Sequence, residues 1–360
     1  MTDSSVPPHR RRVRYKGKNP RRFEEKYKEL SPEKYPDAVA RVLASGKTPA
    51  GTHRPIMVGE ILEMLNPQPG QIAVDCTLGY GGHSLEMLAR LQPGGRLIGL
   101  DADPIELPKT EERLRAAGFG EDLFRTHRAN FAGLPRVLQM EGLSGVDCIL
   151  ADLGVSSMQL DMPGRGFSVK APGPLDMRMN PNKGRSAAAL LAEITAPELV
   201  ELLKENADEP RADVLAWRLA GVRFATTTAL AEAINSLLRD RPEDERKKAV
   251  RRVFQALRVA VNEEFSALDS LLRHLPQCLN PGGCVAILTF HSGEDRRVKK
   301  AFQQGLREGL YFEISPEALR PTAEECRANT RATPAKLRWA RKGWDASASA
   351  SESFRAGYPA

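Results

Sequence analysis

The sequence predicts an α/β fold with a parallel β-sheet and an inserted all-helical segment. Short apolar runs alternate with amphipathic segments between residues 58 and 152, and this spacing is typical of right-handed βαβ units. The pattern becomes all-helical from about residue 185 to residue 258, and an apolar run returns at Val285–Phe290. A chain of 360 residues is long enough for roughly two domains.

The first half of the chain supplies the sheet. An apolar run after the turn signal Asn66–Gly70 predicts the first strand, and Gly94-Gly95 introduces the second. The predicted strands are Ile72–Asp75, Arg96–Leu100, Leu123–Arg128 and Val146–Asp152, and the predicted helices are Val58–Leu65, Ser84–Leu91 and Pro104–Ala117.

The second half supplies the helical segment. Five stretches have helical periodicity before the sheet pattern returns, so the segment interrupts the α/β unit after its fourth strand. The predicted helices are Ala187–Glu193, Pro197–Asn206, Ala212–Val222, Thr228–Leu238 and Lys247–Val261.

The net charge of +7 is concentrated at one end of the chain. Residues 1–50 contain 13 Lys and Arg and 6 acidic residues, so the other 310 residues hold 40 groups of each sign. This distribution excludes a uniformly basic, histone-like protein and predicts a neutral body with a basic arm. With 41% hydrophobic and 28% charged residues, wholesale disorder is excluded as well.

The cysteines predict reduced thiols in a cytoplasmic protein. They are odd in number and none has CxxC spacing, so neither a disulfide framework nor a zinc site is expected, and no metal is predicted. No signal peptide and no membrane span is recognisable. The five are Cys76, Cys148, Cys278, Cys284 and Cys326.

A glycine-rich loop after the first strand predicts a nucleotide-type cofactor. The stretch Asp75–His83 joins a strand to a helix and contains Gly81 and Gly82, but lacks both GxGxxG spacing and a P-loop lysine. Asp101 ends the next strand, where a carboxylate suits two ribose hydroxyls. The glycine loop and Asp101 together favour S-adenosylmethionine over a dinucleotide cofactor. The alternative interpretation of Asp101 is an aspartate that caps a helix.

Two further candidate parts of the binding site follow the third and fourth predicted strands. Phe131 could lie against an adenine ring, although an ordinary core position fits its spacing equally well. The stretch Asp152–Met179 is predicted to be non-helical and mixes polar with buried-type residues. Long loops in compact domains are usually functional, so this stretch is predicted to line the active site.

These motifs together resemble the RsmH (MraW) family. "ADLGVSS" with "QLD", "RGFS" and "GPLDMRM" occur in order, and the resemblance covers residues 53 to 340. The matching stretches are His53–Glu60, Asp75–Ser84, Asp101–Pro104, Asp152–Asp161, Arg165–Ser168, Gly173–Met179, Phe254–Asn262 and Phe290–Asp295. The resemblance implies a Rossmann-like class I methyltransferase sheet and N4-methylation of a cytidine in the decoding region of 16S ribosomal RNA, with S-adenosylmethionine as cofactor.

The charge and periodicity patterns predict the domain organisation, and the resemblance implies the partners. The Rossmann-like domain would span 51–165 and 259–345, and the inserted helical substrate-recognition domain 166–258. Residues 1–50 would form the basic, partly disordered arm, and 346–360 a disordered tail. The implied partner is 16S ribosomal RNA in the small ribosomal subunit, and a homodimer is compatible with the sequence.

Site residues carry over from the family position by position. The cofactor contacts fall on Gly81, Gly82, His83, Asp101, Phe131, Asp152 and Gln159. Candidate substrate contacts are Arg165, Phe167, Asp176, Arg178, Arg258, Asn262, Ser292 and Asp295. The chain departs from the family pattern at Gly293, in "HSGEDR", and at Pro334, and its basic arm 1–50 has no counterpart in the common family pattern.

Asp152 and His291 are the candidate catalytic residues. The cytosine amine is a poor nucleophile, so methyl transfer needs hydrogen-bond acceptors and in-line placement. Asp152 could accept from the amine or from the cofactor. His291 could act as a general base, hold phosphate or be structural.

Three other classes of function compete with this interpretation: a non-catalytic RNA-binding assembly factor, a DNA or protein methyltransferase, and a nicotinamide dehydrogenase. The set of cofactor residues disfavours the assembly factor. The loop after the fourth strand disfavours the DNA or protein methyltransferase, and the glycine spacing disfavours the dehydrogenase.

Deletion of residues 1–45 tests the role of the basic arm. If the arm contacts phosphates, the deletion weakens RNA binding and flattens its dependence on salt, because fewer counterions are released. Binding of labelled RNA at several salt concentrations measures both effects. An unchanged salt slope would show that the arm does not touch the RNA backbone.

Overall fold

A seven-stranded sheet forms the centre of the computed structural model, which describes residues 55–344. The strands are β1 (Ile72–Asp75), β2 (Arg96–Asp101), β3 (Phe124–Arg128), β4 (Val146–Asp152), β5 (Leu279–Thr289), β6 (Tyr311–Ile314) and β7 (Lys336–Lys342). Their order is β3-β2-β1-β4-β5-β7-β6. Strands β1 to β5 pair in parallel, and β7 is antiparallel to β5 and β6.

Helices cover both faces of this sheet. Alternate strand residues point to opposite faces, so Val74 and Ile149 face one core while Ala73 and Leu150 face the other. The first core is completed by α4 (Leu134–Met140), α11 (Glu264–Cys278) and α12 (Ser292–Arg307). The second is completed by α1 (Val58–Leu65), α2 (Gly82–Leu91) and α3 (Glu106–Ala116).

The helical segment between β4 and β5 has a core of its own. Its fully buried members all lie between Phe167 and Leu257. Ser186 and Thr226 cap two of its helices at their N-termini, which satisfies otherwise unpaired backbone amides. The helices are α6 (Ala187–Glu193), α7 (Ala196–Ala207), α8 (Ala212–Leu219), α9 (Thr227–Leu237) and α10 (Glu243–Val261).

The predicted α/β class with a helical insertion is confirmed, with two local corrections. The helix predicted over Ala212–Val222 ends at Leu219, because Gly221 adopts φ 75° and donates its N–H to Leu191 O at 2.9 Å. The stretch after β4 was expected to be non-helical, but it contains α5 (Ser157–Asp161) and a 3-10 turn at Pro163–Arg165. A reciprocal capping box between Ser156 and Gln159 starts α5.

Elements near the carboxyl end of the described chain were not predicted. They are α11, which holds Pro276 within a helix, the edge strand β6 with its neighbour β7, and α13 (Ala323–Ala328). All five cysteines are free thiols and four are buried, as expected. Among the described helices, none is long and apolar enough to cross a membrane. The predicted arm 1–50 and tail 346–360 lie outside the described residues.

Gly305→Ala tests the packing of α12 on β6. A Cβ at Gly305 would lie 2.5 Å from Cδ2 of Tyr311, whose side chain is buried. We expect a loss of about 1–3 kcal/mol in the free energy of unfolding, measured by chemical denaturation, because the ring must shift within a packed core. Gly59→Ala in α1 is the matched control, since nothing lies within 4 Å of its Cβ, and it should gain up to about 1 kcal/mol. Equal stability of the two variants would contradict this packing.

Candidate functional site

The carboxyl ends of the central strands bring the predicted acidic residues to one edge of the sheet. The strand order reverses between β1 and β4, and in open α/β sheets ligands bind in the crevice at such a switch point. Asp75 ends β1, Asp101 ends β2 and Asp152 ends β4. In the β4–β5 register Asp152 lies opposite Leu288, which places His291, three residues later, at the same edge.

The glycine loop is fixed by contacts that leave no space for side chains. Gly79 donates its N–H to Asp101 Oδ2 at 2.8 Å, and Thr110 Oγ1 donates to Gly79 O at 2.5 Å. Gly81 has φ 79°, and its Cβ would lie 2.9 Å from Thr110 Cγ2. A Cβ at Gly82 would collide with Pro55. Glycine is therefore required at both predicted positions, which lets a ligand approach the backbone closely.

Asp75 organises the entry to this loop, a role that the sequence interpretation did not assign. Its carboxylate accepts hydrogen bonds from Ser84 Oγ at 2.7 Å and from Thr77 N at 3.0 Å. Burial raises the pKa of Asp75, and the bond from Ser84 opposes that rise. Thr77 Oγ1 in turn accepts the backbone N–H of Asp152 at 2.6 Å. The ends of β1 and β4 are thus held together by side chains.

Asp101 keeps acceptor capacity for a ligand. Its two oxygens accept the backbone N–H groups of Gly79 and Asp103, each at 2.8 Å. A carboxylate has about four lone-pair positions, so two remain for the ribose hydroxyls of the prediction. Burial raises the pKa of Asp101 to about 6, against the lowering effect of the two backbone hydrogen bonds.

Asp152 is the acceptor in this crevice with the most capacity left. Within residues 55–344 its carboxylate accepts no hydrogen bond, and the imidazole of His83 lies close by, with Nδ1 3.7 Å from Oδ2. His83 donates from Nε2 to Ile56 O at 2.9 Å, which fixes the orientation of the ring. Burial raises the pKa of Asp152 to about 6; His83 lowers it, while Asp75 and Glu294 raise it. The side chain keeps 29% exposure, so a ligand in the crevice can reach it.

Gln159 and Arg165 converge on a buried carboxylate, Asp103. Asp103 Oδ2 accepts from Gln159 Nε2 at 2.8 Å and from Arg165 Nη1 at 2.7 Å. Arg165 Nη2 also donates to Met179 O at 2.8 Å. Both side chains are buried, so the polar atoms expected to meet cofactor or substrate already have partners within the fold. The Asp-Ala-Asp pattern after β2 was the available signal for Asp103.

The loop containing Asp176 and Arg178 borders the helical segment. Arg178 forms a two-pronged ion pair with Asp176, at 2.8 Å and 2.7 Å, and both side chains are partly exposed. Asn262 accepts Met179 N at 2.7 Å through its Oδ1, so it holds the loop against the end of α10. Phe167 is 8% exposed within the helical core, which leaves little of its ring for a nucleobase.

Arg258 and His291 belong to one buried charge cluster. Arg258 pairs with both oxygens of Glu264 at 2.8 Å and lies 4.0 Å from Glu294. His291 Nε2 lies 3.1 Å from Glu294 Oε1. Glu264, His291 and Glu294 are close enough to share a metal ion. Because Arg258 already supplies a cation there, the donor set does not favour a metal.

The last three predicted residues also have partners within the chain. Ser292 Oγ donates to Asp208 Oδ2 at 2.8 Å, which links α12 to the helical segment. Asp295 pairs with Lys336 at 2.6 Å and Arg338 at 2.7 Å. Phe131 opens a 3-10 turn after β3 and packs partly against the sheet core. The predicted ligand contacts of these residues stay predictions.

A seven-stranded sheet with antiparallel β7 between β5 and β6, and a nucleotide-type crevice at its switch point, define a Rossmann-like class I methyltransferase. The MraW methylase family profile matches residues 50–343. The chain is 51% identical over 349 residues to ribosomal RNA small subunit methyltransferase H 2 of Alkaliphilus metalliredigens, covering 94% of this chain and 99% of that protein. This protein therefore belongs to the MraW methylase family.

Other relatives and structures resemble the chain to different degrees. Ribosomal RNA small subunit methyltransferase H 1 of Lachnoclostridium phytofermentans is 50% identical, with 95% of each chain covered. A putative rRNA methylase structure from Clostridium thermocellum is 12% identical with a TM-score of 0.38, covering 79% of this chain and 94% of that one. The strand order, rather than that remote likeness, identifies the fold.

Part of the basic arm is shared with these relatives. The family profile begins at residue 50. The alignment with the Alkaliphilus protein leaves only 6% of this chain uncovered, which is fewer residues than the 50 of the arm. The arm was expected to have no counterpart in the common family pattern; the longer alignments show that some relatives match part of it.

Membership of a methylase family identifies S-adenosylmethionine as the cofactor, and the crevice fits it. Asp101 offers free acceptor positions, the glycine loop admits close backbone approach, and Asp152 is an available carboxylate. S-adenosylmethionine carries two positive groups, a sulfonium and an ammonium. A crevice lined by three partly or wholly buried carboxyl groups is complementary to such a ligand.

The raised pKa values of Asp101 and Asp152 predict a pH-dependent affinity for S-adenosylhomocysteine. Both carboxyls have a pKa of about 6, so they are ionised above about pH 7 and lose acceptor capacity as the pH falls. Calorimetric titration should give constant affinity above about pH 7 and, below about pH 6, a decrease of up to roughly ten-fold per pH unit for each of the two carboxyls, hence up to roughly 100-fold together.

Two variants distinguish titration of the site carboxyls from a general effect of low pH on the protein. Asp152→Asn should bind more weakly at pH 7.5 and show a shallower pH profile, because one titrating acceptor is gone. Asp122→Asn is the control, since Asp122 is exposed before β3, and it should keep the wild-type profile. A pH profile that is the same in wild type and Asp152→Asn would refute the role of Asp152 in cofactor binding.

Proposed function

We propose that this protein transfers the methyl group of S-adenosylmethionine to the N4 amine of a cytidine in the decoding region of 16S ribosomal RNA. The observation that carries the proposal is the unoccupied acceptor capacity of Asp152 at the end of β4. Family membership and the ribosomal RNA small subunit methyltransferase names of the relatives support the substrate. The cytoplasm, where ribosomal subunits reside, is the corresponding compartment.

Methyl transfer to the cytosine amine depends more on hydrogen-bond acceptors than on a strong base. The lone pair of the cytosine amine is delocalised into the ring, so the nitrogen must be turned out of conjugation and held in line with the methyl carbon. Asp152 accepts a hydrogen bond from N4–H, which concentrates electron density on nitrogen. S-adenosylmethionine would supply the methyl group and leave as S-adenosylhomocysteine, and Asp152 would take the N4 proton that the new N–C bond displaces. A carboxylate with a pKa of about 6 is ionised at neutral pH and can take that proton.

The other site residues divide into ligand contacts and positioning residues. Asp101 would hold the ribose hydroxyls, the loop of Gly81, Gly82 and His83 would cover the methionine portion, and Phe131 would border the adenine. Gln159 and Arg165 act through Asp103, so we assign them to positioning. His291 touches Glu294 and is likewise assigned to positioning.

The exposed ion pair offers a contact for the RNA. Asp176 and Arg178 lie on the partly exposed loop that Arg165 and Asn262 hold in place. An arginine in this position can approach a phosphate or the edge of the target nucleotide. Asn262 supports this loop directly, whereas Arg258 and Asp295 are engaged by internal ion pairs. Ser292 is exposed and bonds to Asp208.

Methyl transfer from labelled S-adenosylmethionine to unmodified small ribosomal subunits tests the proposal. Wild type should label one RNA nucleoside, recovered after digestion as N4-methylcytidine. Asp152→Asn should lower kcat at least about 100-fold, because the amine loses its acceptor, while changing cofactor affinity far less. Asp101→Ala should mainly raise the KM for the cofactor, and Asp122→Asn should match wild type.

Three results would refute the proposal. They are label on protein or DNA, methylation of a different nucleoside, and cofactor binding without any turnover. Full activity of Asp152→Asn would be compatible with the proposed substrate but would refute the assigned role of Asp152.

A further inference from the structure

An exposed aromatic side chain on α8 has no partner within the described chain. Trp217 is 70% exposed and Val214, one turn earlier, is 55% exposed. Large apolar side chains in a contiguous exposed group often mark an interaction site. The helix needs neither residue for its own packing, because its buried face consists of Ala212, Leu215, Ala216 and Leu219.

Two arginines that lack ion-pair partners flank this tryptophan. Arg218 follows Trp217 directly, and Arg223 lies in the loop after α8; both are exposed, and neither has an ion pair within residues 55–344. The sequence contains no acidic residue between Asp213 and Glu232, and Asp213 itself pairs with Lys204 at 3.2 Å. The surface is therefore basic as well as aromatic. We call Val214, Trp217, Arg218, Val222 and Arg223 the basic-aromatic patch.

The loop after α8 connects the patch to the candidate active site. Leu175 N donates to Ala225 O at 3.3 Å, and Pro174 bridges to Thr226. The backbone that carries Arg223 thus runs beside the backbone that leads to Asp176 and Arg178. Arg165 in turn joins the end of that loop, at Met179, to Asp103, two residues after Asp101, so the patch is connected to the crevice through a continuous series of contacts.

We propose that the basic-aromatic patch binds single-stranded RNA next to the target cytidine, with a base stacked on Trp217 and phosphates held by Arg218 and Arg223. The inference rests on the proposed function. Stacking on aromatic side chains tolerates any base, and basic groups beside them follow the backbone. A docking site for another protein would be expected to bury charges in complementary pairs, whereas the described patch presents only one sign of charge.

Binding of a fluorescein-labelled single-stranded RNA dodecamer and of purified small subunits tests this assignment. Trp217→Ala should weaken dodecamer binding about ten-fold or more, while Trp217→Phe should retain most of the affinity, because a flat ring remains. The double variant Arg218→Ala, Arg223→Ala should weaken binding and reduce the salt slope by about one to one and a half.

Trp344→Ala is the matched control. Trp344 is also 70% exposed, but it follows β7 and lies against Gly282, away from the helical segment. This variant should bind RNA as wild type does. All variants should bind S-adenosylhomocysteine normally, which shows that they are folded. Unchanged RNA affinity of Trp217→Ala, or an equal loss in Trp344→Ala, would overturn the proposal.

The methylation assay separates this inference from the proposed function. If wild type yields N4-methylcytidine and Trp217→Ala raises only the KM for subunits, the proposed function and the patch proposal are both supported. If wild type methylates normally and Trp217→Ala equals it in binding and KM, the patch proposal alone falls. If wild type makes no N4-methylcytidine while Trp217→Ala still loses dodecamer affinity, the proposed function alone falls. Weaker subunit binding with unchanged dodecamer binding, or loss of self-association with RNA binding intact, would assign the patch to a protein partner and overturn the proposal.

Discussion

The buried carboxylate of Asp103 is the interaction on which the arrangement of the site depends. It is 1% exposed and accepts Ile105 N, Gln159 Nε2 and Arg165 Nη1. Through Arg165 the end of β2 is connected to the backbone at Met179, and Asn262 continues that connection to α10. Removing one member of such a buried pair costs about 3–5 kcal/mol, because the remaining charge has no partner. The same network therefore joins the sheet to the helical segment and shapes the active-site loop.

Much of the fold follows from local sequence, and the exceptions have identifiable causes. Ile72–Asp75 and Val146–Asp152 coincide with β1 and β4 because buried parallel strands are continuous apolar runs. Strand β7, Lys336–Lys342, is rich in basic residues because Asp295 neutralises Lys336 and Arg338 from another element. A pairing across 41 residues leaves no local signal, so neither β7 nor the role of Asp295 could be predicted.

The candidate site shows the same division. Gly81, Gly82, Asp101 and Asp152 were predictable because strand ends and glycine turns have local signatures. The contacts of Gln159, Arg165 and Arg258 were not, since a polar residue near the crevice is equally typical of a ligand contact and of an internal partner. Burial resolves that ambiguity: a polar or charged group taken out of water needs a partner, and these three obtain theirs from within the fold.

Internal pairing lowers the outward charge of the nearly neutral body of this protein. Arg165, Arg258, Arg296 and Arg338 all pair with carboxylates, so they add little to the outward field. Non-specific affinity for nucleic acid grows with the number of phosphates that free basic groups can neutralise. Arg218 and Arg223, two of the arginines without an ion pair within residues 55–344, lie beside an exposed tryptophan, so on our proposal a single strand of RNA gains affinity there by stacking as well as by charge. If residues 1–50 contact RNA, as their charge predicts, they add attraction without specificity, and on the proposed function the choice of nucleotide falls to the crevice around Asp152.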